Sequence, residues 1–446
     1  MTASLRSVGQ VDPAQAGGVS SSEGMKVAFL VRAFPELSET FVLNQMTGLL
    51  DAGVDLDVFA WGAGQDEPEH REVATYGLRR RTHYIRPPKS PLRRVGATVR
   101  ELLVSGAWKE PGVLMRSVNR RRYGPSARSL FLLHAGAVFL REGPHSVIHC
   151  QFGRLGLTAM ALQEIGFLTG NIVVSFRGSD ISRHQDAEGY DQLFRRARLL
   201  LPVCRAFGRR LESMGCDPDK VHVVHSGIRL EGFEVRPRTR PPGDPTRFLT
   251  IARLVEKKGI VYALQGMARL RSREIPAELT VVGDGPLRAD LERLSAELGL
   301  QGQVSFTGAV ERREVVALLQ WSHVLVAPSV TASTGDQEGI PNVLKEAMAT
   351  GMPVVSTVHS GIPELVEDGI SGFLVPERDP EALARRMEHL ARHPETWSDM
   401  GRAGRRRVEE AFDSRKVNAQ LLTLYEKCGR EPVSGSRNSH GSVSDV

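Results

Sequence analysis

The sequence predicts an α/β protein built from parallel sheets in two domains, and three observations carry that expectation. Short apolar runs alternate with amphipathic helical stretches from residue 25 to about residue 427, which is the rhythm of βα units. Runs such as HVLVAPS (323–329) are apolar almost throughout, as strands covered on both faces are. A Pro/Arg-rich run at 236–246 breaks the rhythm near the middle of a 446-residue chain, a length that suits two or three domains.

Composition agrees with a globular protein. Hydrophobic residues make up 41% and charged residues 25%, which is ample for two cores. No apolar run reaches the roughly 18 residues of a membrane-spanning helix. Residues 1–24 have no basic start followed by an apolar core, so they do not read as a signal peptide. They are rich in Gly, Ser and Ala and read as a disordered tail, as do 432–446. The four cysteines form no C-x-x-C pair, so reduced thiols in the cytoplasm are the default. Lys and Arg number 58 against 52 Asp and Glu, a net +6, but the charge is uneven. Residues 79–128 hold 14 Lys or Arg and 2 Glu, a local +12, which leaves the remainder at −6. That basic run lacks interleaved aromatics and a recognition motif, so nucleic acid is a poor partner for it.

The first domain is expected over 25–235. KVAFLV (26–31) is a strand. The loop RAFPELS leads to a helix from 39 to about 52 that Ser38 caps, and VDLDVFA (54–60) is the next strand. This βαβ unit lacks G-x-G-x-x-G and is not a dinucleotide-binding start. Short helical patterns broken by Pro and Gly fill 79–144. In the stretch 90–108, Leu92, Val95, Val99, Leu102 and Leu103 fall on one side, with Arg93, Arg94 and Arg100 largely elsewhere. An ordinary packed helix and an interfacial helix whose arginines meet lipid phosphates both fit. HSVIHCQFGRLG (145–156) reads as a strand, a loop and a helix start, and IVVSFRGSDIS (172–182) as a buried strand ending in Arg177-Gly178-Ser179-Asp180. Carboxyl ends of such strands are where open α/β sheets bind ligands. ARLLLPVC (197–204), a helix to Gly215 and the strand KVHVVHSGI (220–228) close the domain. The pairs His145/His149 and His222/His225 lack a third ligand at a recognisable spacing, which argues against zinc.

Past the 236–246 linker, the second domain is expected over 247–410, followed by a helix over 411–431. RFLTIARLVEKKGI (247–260) reads as strand, turn and helix, with Arg253 and Lys258 spaced so that both cations reach one diphosphate or, alternatively, pair with surface carboxylates. Gly283-Asp284-Gly285-Pro286 follows a strand and precedes a helix, the position of a phosphate-side or base-side loop, although a structural turn has the same pattern. TASTGDQEGIPNVLKEAMATG (331–351) reads as a strand end, a glycine loop and a helix beginning near Pro341. The loop Gly339-Ile340-Pro341-Asn342-Val343 offers backbone donors to an anion. Glu338 and Glu346 offer carboxylates to neutral hydroxyls. A site holding phosphate and sugar hydroxyls together is a nucleotide-sugar site.

Glu338-x7-Glu346, followed by Ala347-Met348-Ala349-x-Gly351-x-Pro353 and Gly361-x-Pro363-Glu364, resembles the donor site of family 4 glycosyltransferases. Arg253-Leu254-x3-Lys258-Gly259 is similar to that family's Gly-Arg-Leu-x-x-x-Lys-Gly, with Ala252 in place of the first glycine. VSFTGAV (304–310) resembles its strand against the nucleobase. Arg32 to Phe41 looks like the exopolysaccharide branch exemplified by colanic acid and amylovoran synthesis. The resemblance implies two Rossmann-like domains facing across a cleft (the GT-B fold), a last helix returning to the first domain, and metal-independent transfer with retention of configuration. It further implies a UDP- or GDP-sugar donor as the only cofactor. Arg253 and Lys258 would balance the diphosphate, Glu346 the ribose and Glu338 the hexose. It implies His149, near the reacting sugar, as a catalytic residue with Arg253, Lys258 and Glu338, and on the acceptor side Arg32, Glu39, Gln151, Arg177 and Asp180, with Gln151 and Arg177 standing where the family often has histidine. Each of these also has a plain reading as a solvated, capping or strand-end residue. The acceptor expected from this branch is a glycan or polyprenyl-diphosphate-linked saccharide at the inner face of the membrane, with the basic segment as a peripheral contact to anionic lipid. Two other classes remain open: a sugar-nucleotide epimerase-like enzyme, and a non-catalytic nucleotide-sugar binder on the same frame.

Overall fold

The computed structural model describes residues 24–36, 40–64, 70–183 and 189–430. Ser38 as a cap and Glu39 as an acceptor contact lie outside the described residues. Among these residues, six strands form a first sheet: β1 (Lys26–Phe34), β2 (Asp55–Ala63), β3 (Thr82–Tyr84), β4 (Val147–Cys150), β5 (Asn171–Phe176) and β6 (Leu199–Pro202). Their order is β3-β2-β1-β4-β5-β6, and every neighbouring pair is parallel. The second sheet repeats the plan with β7 (Thr246–Ile251), β8 (Ala277–Val282), β9 (Val304–Gly308), β10 (Val324–Ala327), β11 (Val354–Thr357) and β12 (Phe373–Val375), in the order β12-β11-β10-β7-β8-β9. Each order reverses once, at β1/β4 and at β7/β10. The carboxyl ends of those central strands define the crevices where ligands bind in such sheets.

Helices cover both faces of each sheet, so the central strands carry apolar side chains on both sides. Phe29, Val58 and Val173 pack on one face of the first sheet, and Leu30, Phe59 and Val174 on the other. β1 runs past the expected residue 31, because Ala33 and Phe34 find partners in Gly62 and Ala63 of a longer β2. Arg32 is thereby an exposed strand residue, not a loop residue. The expected strand at 220–228 does not form. His222 and Val224 donate to Leu200 and Pro202 at the edge of β6, but only the Leu200–Val221 bridge pairs.

The first crossing between domains comes earlier than the Pro/Arg-rich run. Ile228, Leu230 and Phe233 already pack in the second domain's core, and Ile228 bridges Asp413 where the chain returns. Within 236–246, Arg238 is a bolt and not a hinge: its guanidinium reaches the carbonyls of Leu319 and Ser322 and the Thr350 hydroxyl. The final helix, Ser414–Arg430, crosses back to the first domain. It buries Val417, Leu421, Leu424, Tyr425 and Cys428 there, and Asn418 donates to the Asn44 carbonyl at 2.9 Å.

Candidate active site

The second domain places its groups where β7 and β10 end side by side. After β7 the chain turns through Ala252–Leu254, and the glycine loop after β8 presses on that turn. A Cβ at Gly283, where φ is +123°, would come within 1.9 Å of the Ala252 carbonyl oxygen. The glycines of 283–286 thus serve a close approach of two backbones, and the loop sets the Arg253 turn through the Leu254 N–H bond to the Asp284 carbonyl. Arg253 is exposed and has no ion-pair partner among the described residues.

Opposite this turn, Glu338 is held between two lysines. Lys258 Nζ lies 2.9 Å from one carboxylate oxygen and Lys257 Nζ 3.0 Å from the other. Burial alone would raise the Glu338 carboxyl, but the two ammonium groups outweigh it and hold it at about 2. A carboxylate has about four lone-pair sites and an ammonium three N–H groups, so neither partner is exhausted by this contact. Lys257 also reaches Asp336 at 3.3 Å, and Arg183 of the first domain meets the same carboxylate at 3.1 Å.

Eight residues along, Glu346 sits in the helix Asn342–Ala349 with one oxygen 3.1 Å from Arg312. Pro341 stands at the cap position before that helix. Among the described residues, the N–H groups of Ile340, Asn342 and Val343 meet no acceptor. A Cβ at Gly339 would come within 2.6 Å of Val203, so the glycine lets this loop close on the first domain. Gln337 N–H donates to Ser182 Oγ at 3.1 Å, and Asn342 reaches Thr40 at 3.5 Å across the same boundary.

Gly361-Ile362-Pro363-Glu364 packs against the 339–340 loop, where the Gly361 N–H donates to the Gly339 carbonyl at 3.2 Å, and also docks on the first domain. Gly361 faces Cys204, and Glu364 accepts from the Arg205 N–H at 2.7 Å, at the start of the helix Arg205–Ser213. Its other oxygen meets His225 at 3.1 Å.

On the acceptor side, Arg177 is the centre of a polar network at the end of β5. It donates to Gln151 at 2.6 Å, to Gln45 at 2.9 Å and to Ser226 Oγ at 3.0 Å, and stacks over Phe41. His149 lies beneath this network, wholly buried. Ser175 Oγ sits 2.8 Å from its Nε2, and its Nδ1 meets the Tyr425 hydroxyl at 2.5 Å and the Gln151 amide at 3.3 Å. Burial, followed by the Arg177 charge, keeps its imidazole neutral. Direct contact between His149 and a reacting sugar is therefore not what this geometry offers; it supports Gln151 from below. Asp180 accepts from the N–H groups of Arg177, Gly178 and Gly153, so it ties two loops together. Among the described residues, no group of three or more His, Cys, Asp or Glu side chains is placed to hold a metal ion.

Lys257, Asp336 and Arg312 were not singled out in the sequence. Lys257 had a signal, the doubled lysine of EKKG; Arg312 and Asp336 had none without the tertiary pairing.

Residues 233–407 match the family described as glycosyl transferases group 1, and 38–227 a glycosyl transferase 4-like domain. The putative colanic acid biosynthesis glycosyltransferase WcaL of Salmonella typhimurium is 38% identical over 414 residues, covering 90% of this chain and all of that protein. The chain belongs to the family 4 glycosyltransferases of GT-B fold. The glycosyltransferase is also 35% identical to the amylovoran biosynthesis glycosyltransferase AmsK of Erwinia amylovora, covering 90% of this chain and all of AmsK. In fold it is similar to Anabaena Alr3699/HepE, crystallised with UDP and glucose, with a TM-score of 0.67 at 16% identity over 90% of this chain and all of that one.

Proposed function

We propose that this glycosyltransferase moves a hexose, with retention of configuration, from a UDP- or GDP-sugar to a glycan or polyprenyl-diphosphate-linked saccharide in exopolysaccharide synthesis. The observation that carries the reading is the Lys257–Glu338–Lys258 cluster beside the unpartnered N–H groups of Ile340, Asn342 and Val343, with Glu346 in the helix that follows. Anionic phosphate oxygens take the N–H groups, the unpaired Arg253 and the spare N–H bonds of Lys258. These are fixed where negative charge builds on the departing diphosphate, which is where preorganised donors lower a barrier. The second oxygen of Glu346 accepts from ribose hydroxyls, and the remaining lone pairs of Glu338 accept from the hexose. The acceptor enters between this loop and the Arg177–Gln151 end of the first domain. The names of the relatives WcaL and AmsK support the exopolysaccharide context.

The acceptor's lipid brings in the helix Pro91–Ser105. Among its residues only Thr98 is buried, while Leu92 is 87% and Leu103 62% exposed, with Trp108 and Met115 exposed just beyond. The packed-helix reading leaves this apolar face uncovered. With Arg93, Arg100 and Lys109 beside it, the face suits the interface of an anionic leaflet, where cations meet headgroups and leucines meet acyl chains. No helix among the described residues is long and apolar enough to cross a membrane.

The test is a donor screen by calorimetry, followed by transfer of radiolabelled hexose from the donor that binds to polyprenyl-diphosphate saccharides in vesicles. Saturable binding of one nucleotide series and an α- or β-anomer matching the donor are expected. Turnover of the nucleotide sugar to its epimer without acceptor, or binding without any transfer, would overturn the assignment.

A further inference from the structure

Glu338 is oriented from behind by a buried histidine and a half-buried glutamate that no expectation singled out. His359, 1% exposed, lies just beyond β11, and its Nε2 accepts the backbone N–H of Glu338 at 3.1 Å. On the opposite side of the ring, Nδ1 lies 2.6 Å from Glu377 Oε1. The other Glu377 oxygen accepts the Thr331 N–H at 2.8 Å, at the start of the same loop that carries Glu338. Gln337 closes the circuit by donating to Thr331 Oγ1 at 3.1 Å.

These contacts determine the ring's proton. The Glu338 N–H can donate only to a bare Nε2, so the proton sits on Nδ1, where the Glu377 carboxylate accepts it. Burial of Glu377 would raise its carboxyl, but the Thr331 N–H and then His359 lower it overall, in line with an acceptor-only group. The imidazole thus acts as a spacer of defined polarity, acceptor toward the loop and donor toward Glu377.

We propose that His359 and Glu377 are positioning residues for transfer, holding the Glu338 peptide so that its carboxylate stands between Lys257 and Lys258 and faces the hexose. This rests on the donor-site reading of Glu338. Neither residue touches the donor; they act through one N–H group. Ring polarity separates the proposal from simple packing. In Glu377→Gln, the Thr331 N–H still demands an oxygen, which turns the amide NH2 toward His359 Nδ1. The ring must then carry its proton on Nε2, where it opposes the Glu338 N–H, donor against donor. A near-isosteric change would therefore unfasten the loop without opening a cavity. His359→Gln keeps an acceptor for Glu338 and a donor for Glu377, whereas His359→Ala keeps neither.

The experiment is hydrogen exchange of the full chain, read at the Glu338 amide by fragmentation mass spectrometry, with steady-state kinetics on the same variants. Exchange at Glu338 should speed up roughly fivefold to tenfold in Glu377→Gln and His359→Ala and stay near wild type in His359→Gln. The kcat/KM for the donor should fall in the same order, with KM for the acceptor unchanged. Unchanged exchange in Glu377→Gln, or equal losses in His359→Gln and His359→Ala, would overturn the proposal. Glu338→Gln is run alongside. If it leaves donor kinetics untouched, the donor-site reading fails; if it impairs them while Glu377→Gln does not, only the positioning proposal fails.

Discussion

Replacing Leu92 and Leu103 with serine should detach the glycosyltransferase from vesicles while leaving its fold intact. Fully burying a leucine is worth about 1.5–3 kcal/mol. Leu92 and Leu103 present 87% and 62% of their surfaces to solvent, so together about 2–4.5 kcal/mol is available to a membrane. An interfacial helix dips only partway into the acyl region, so roughly half of that is realised, about 1–2 kcal/mol. That corresponds to a loss of about 5- to 30-fold in partitioning. Arg93 and Arg100 are exposed and contribute about 1 kcal/mol each near an anionic leaflet, so their replacement by glutamine weakens binding to anionic vesicles specifically. Arg94 is a poor choice for that experiment. Its guanidinium holds the Pro88 and Lys89 carbonyls and so fastens the helix start. Sedimentation with neutral phosphatidylcholine vesicles and with vesicles containing phosphatidylglycerol, at low and high salt, gives the partition ratios. A melting temperature well below wild type, with binding unchanged, would show that the leucines serve the core and would refute the interfacial reading.

Arg253→Ala should lower kcat/KM by about 1.5–3 kcal/mol with melting unchanged, because its proposed partner is the donor; equal loss of melting temperature and turnover would place it in the fold. Asp57 is buried against His145, His83 and Lys26. Burial would raise its carboxyl, but these three partners together hold it far below the usual range. A depressed carboxyl stabilises above its unfolded value of about 4 and loses that stability as pH falls below it. Asp57→Asn should therefore be less stable than wild type at pH 7, with the gap narrowing below about pH 4 in chemical denaturation. Lys345 is wholly buried, donates to the Ser226 carbonyl at 2.6 Å, and is pushed down to about 7 by burial. Between about pH 7 and 10 the unfolded chain binds the proton that the folded one has released, so wild-type stability should rise with pH over that window. Lys345→Met should be flat there; parallel pH profiles would contradict the assignment.

Much of the donor half was legible because its signals are local. A strand, a turn with two cations and a glycine loop follow one another in the chain, and the structure places Lys258 against Glu338 as neighbours in one crevice. The first domain was less legible because its site is assembled from distant segments. Arg177 is tied to Gln45, Gln151 and Ser226, three positions that no spacing connects. The family resemblance singled out His149, yet the returning helix covers it with Tyr425, a contact 276 positions away in sequence. Composition also misled at 236–246. Proline and arginine suggested a free linker, but Arg238 finds five backbone or hydroxyl acceptors inside the second domain, so the actual crossing lies near Ile228 and Asp413. The helix at 91–105 could not be resolved by periodicity, because an amphipathic pattern is the same whether its apolar face meets a core or a bilayer.

The central claim is that Glu338 and Glu346 divide one nucleotide sugar between them. Calorimetric titration of UDP against UDP-glucose, and of GDP against GDP-mannose, into wild type, Glu346→Gln and Glu338→Gln tests it most directly. One nucleotide series should bind the wild type. Glu346→Gln should weaken the nucleoside diphosphate and its sugar alike, by about 1.5–3 kcal/mol, because both carry the ribose. Glu338→Gln should weaken only the nucleotide sugar. Wild-type affinities in both variants, or equal losses for diphosphate and sugar in Glu338→Gln, would contradict the account.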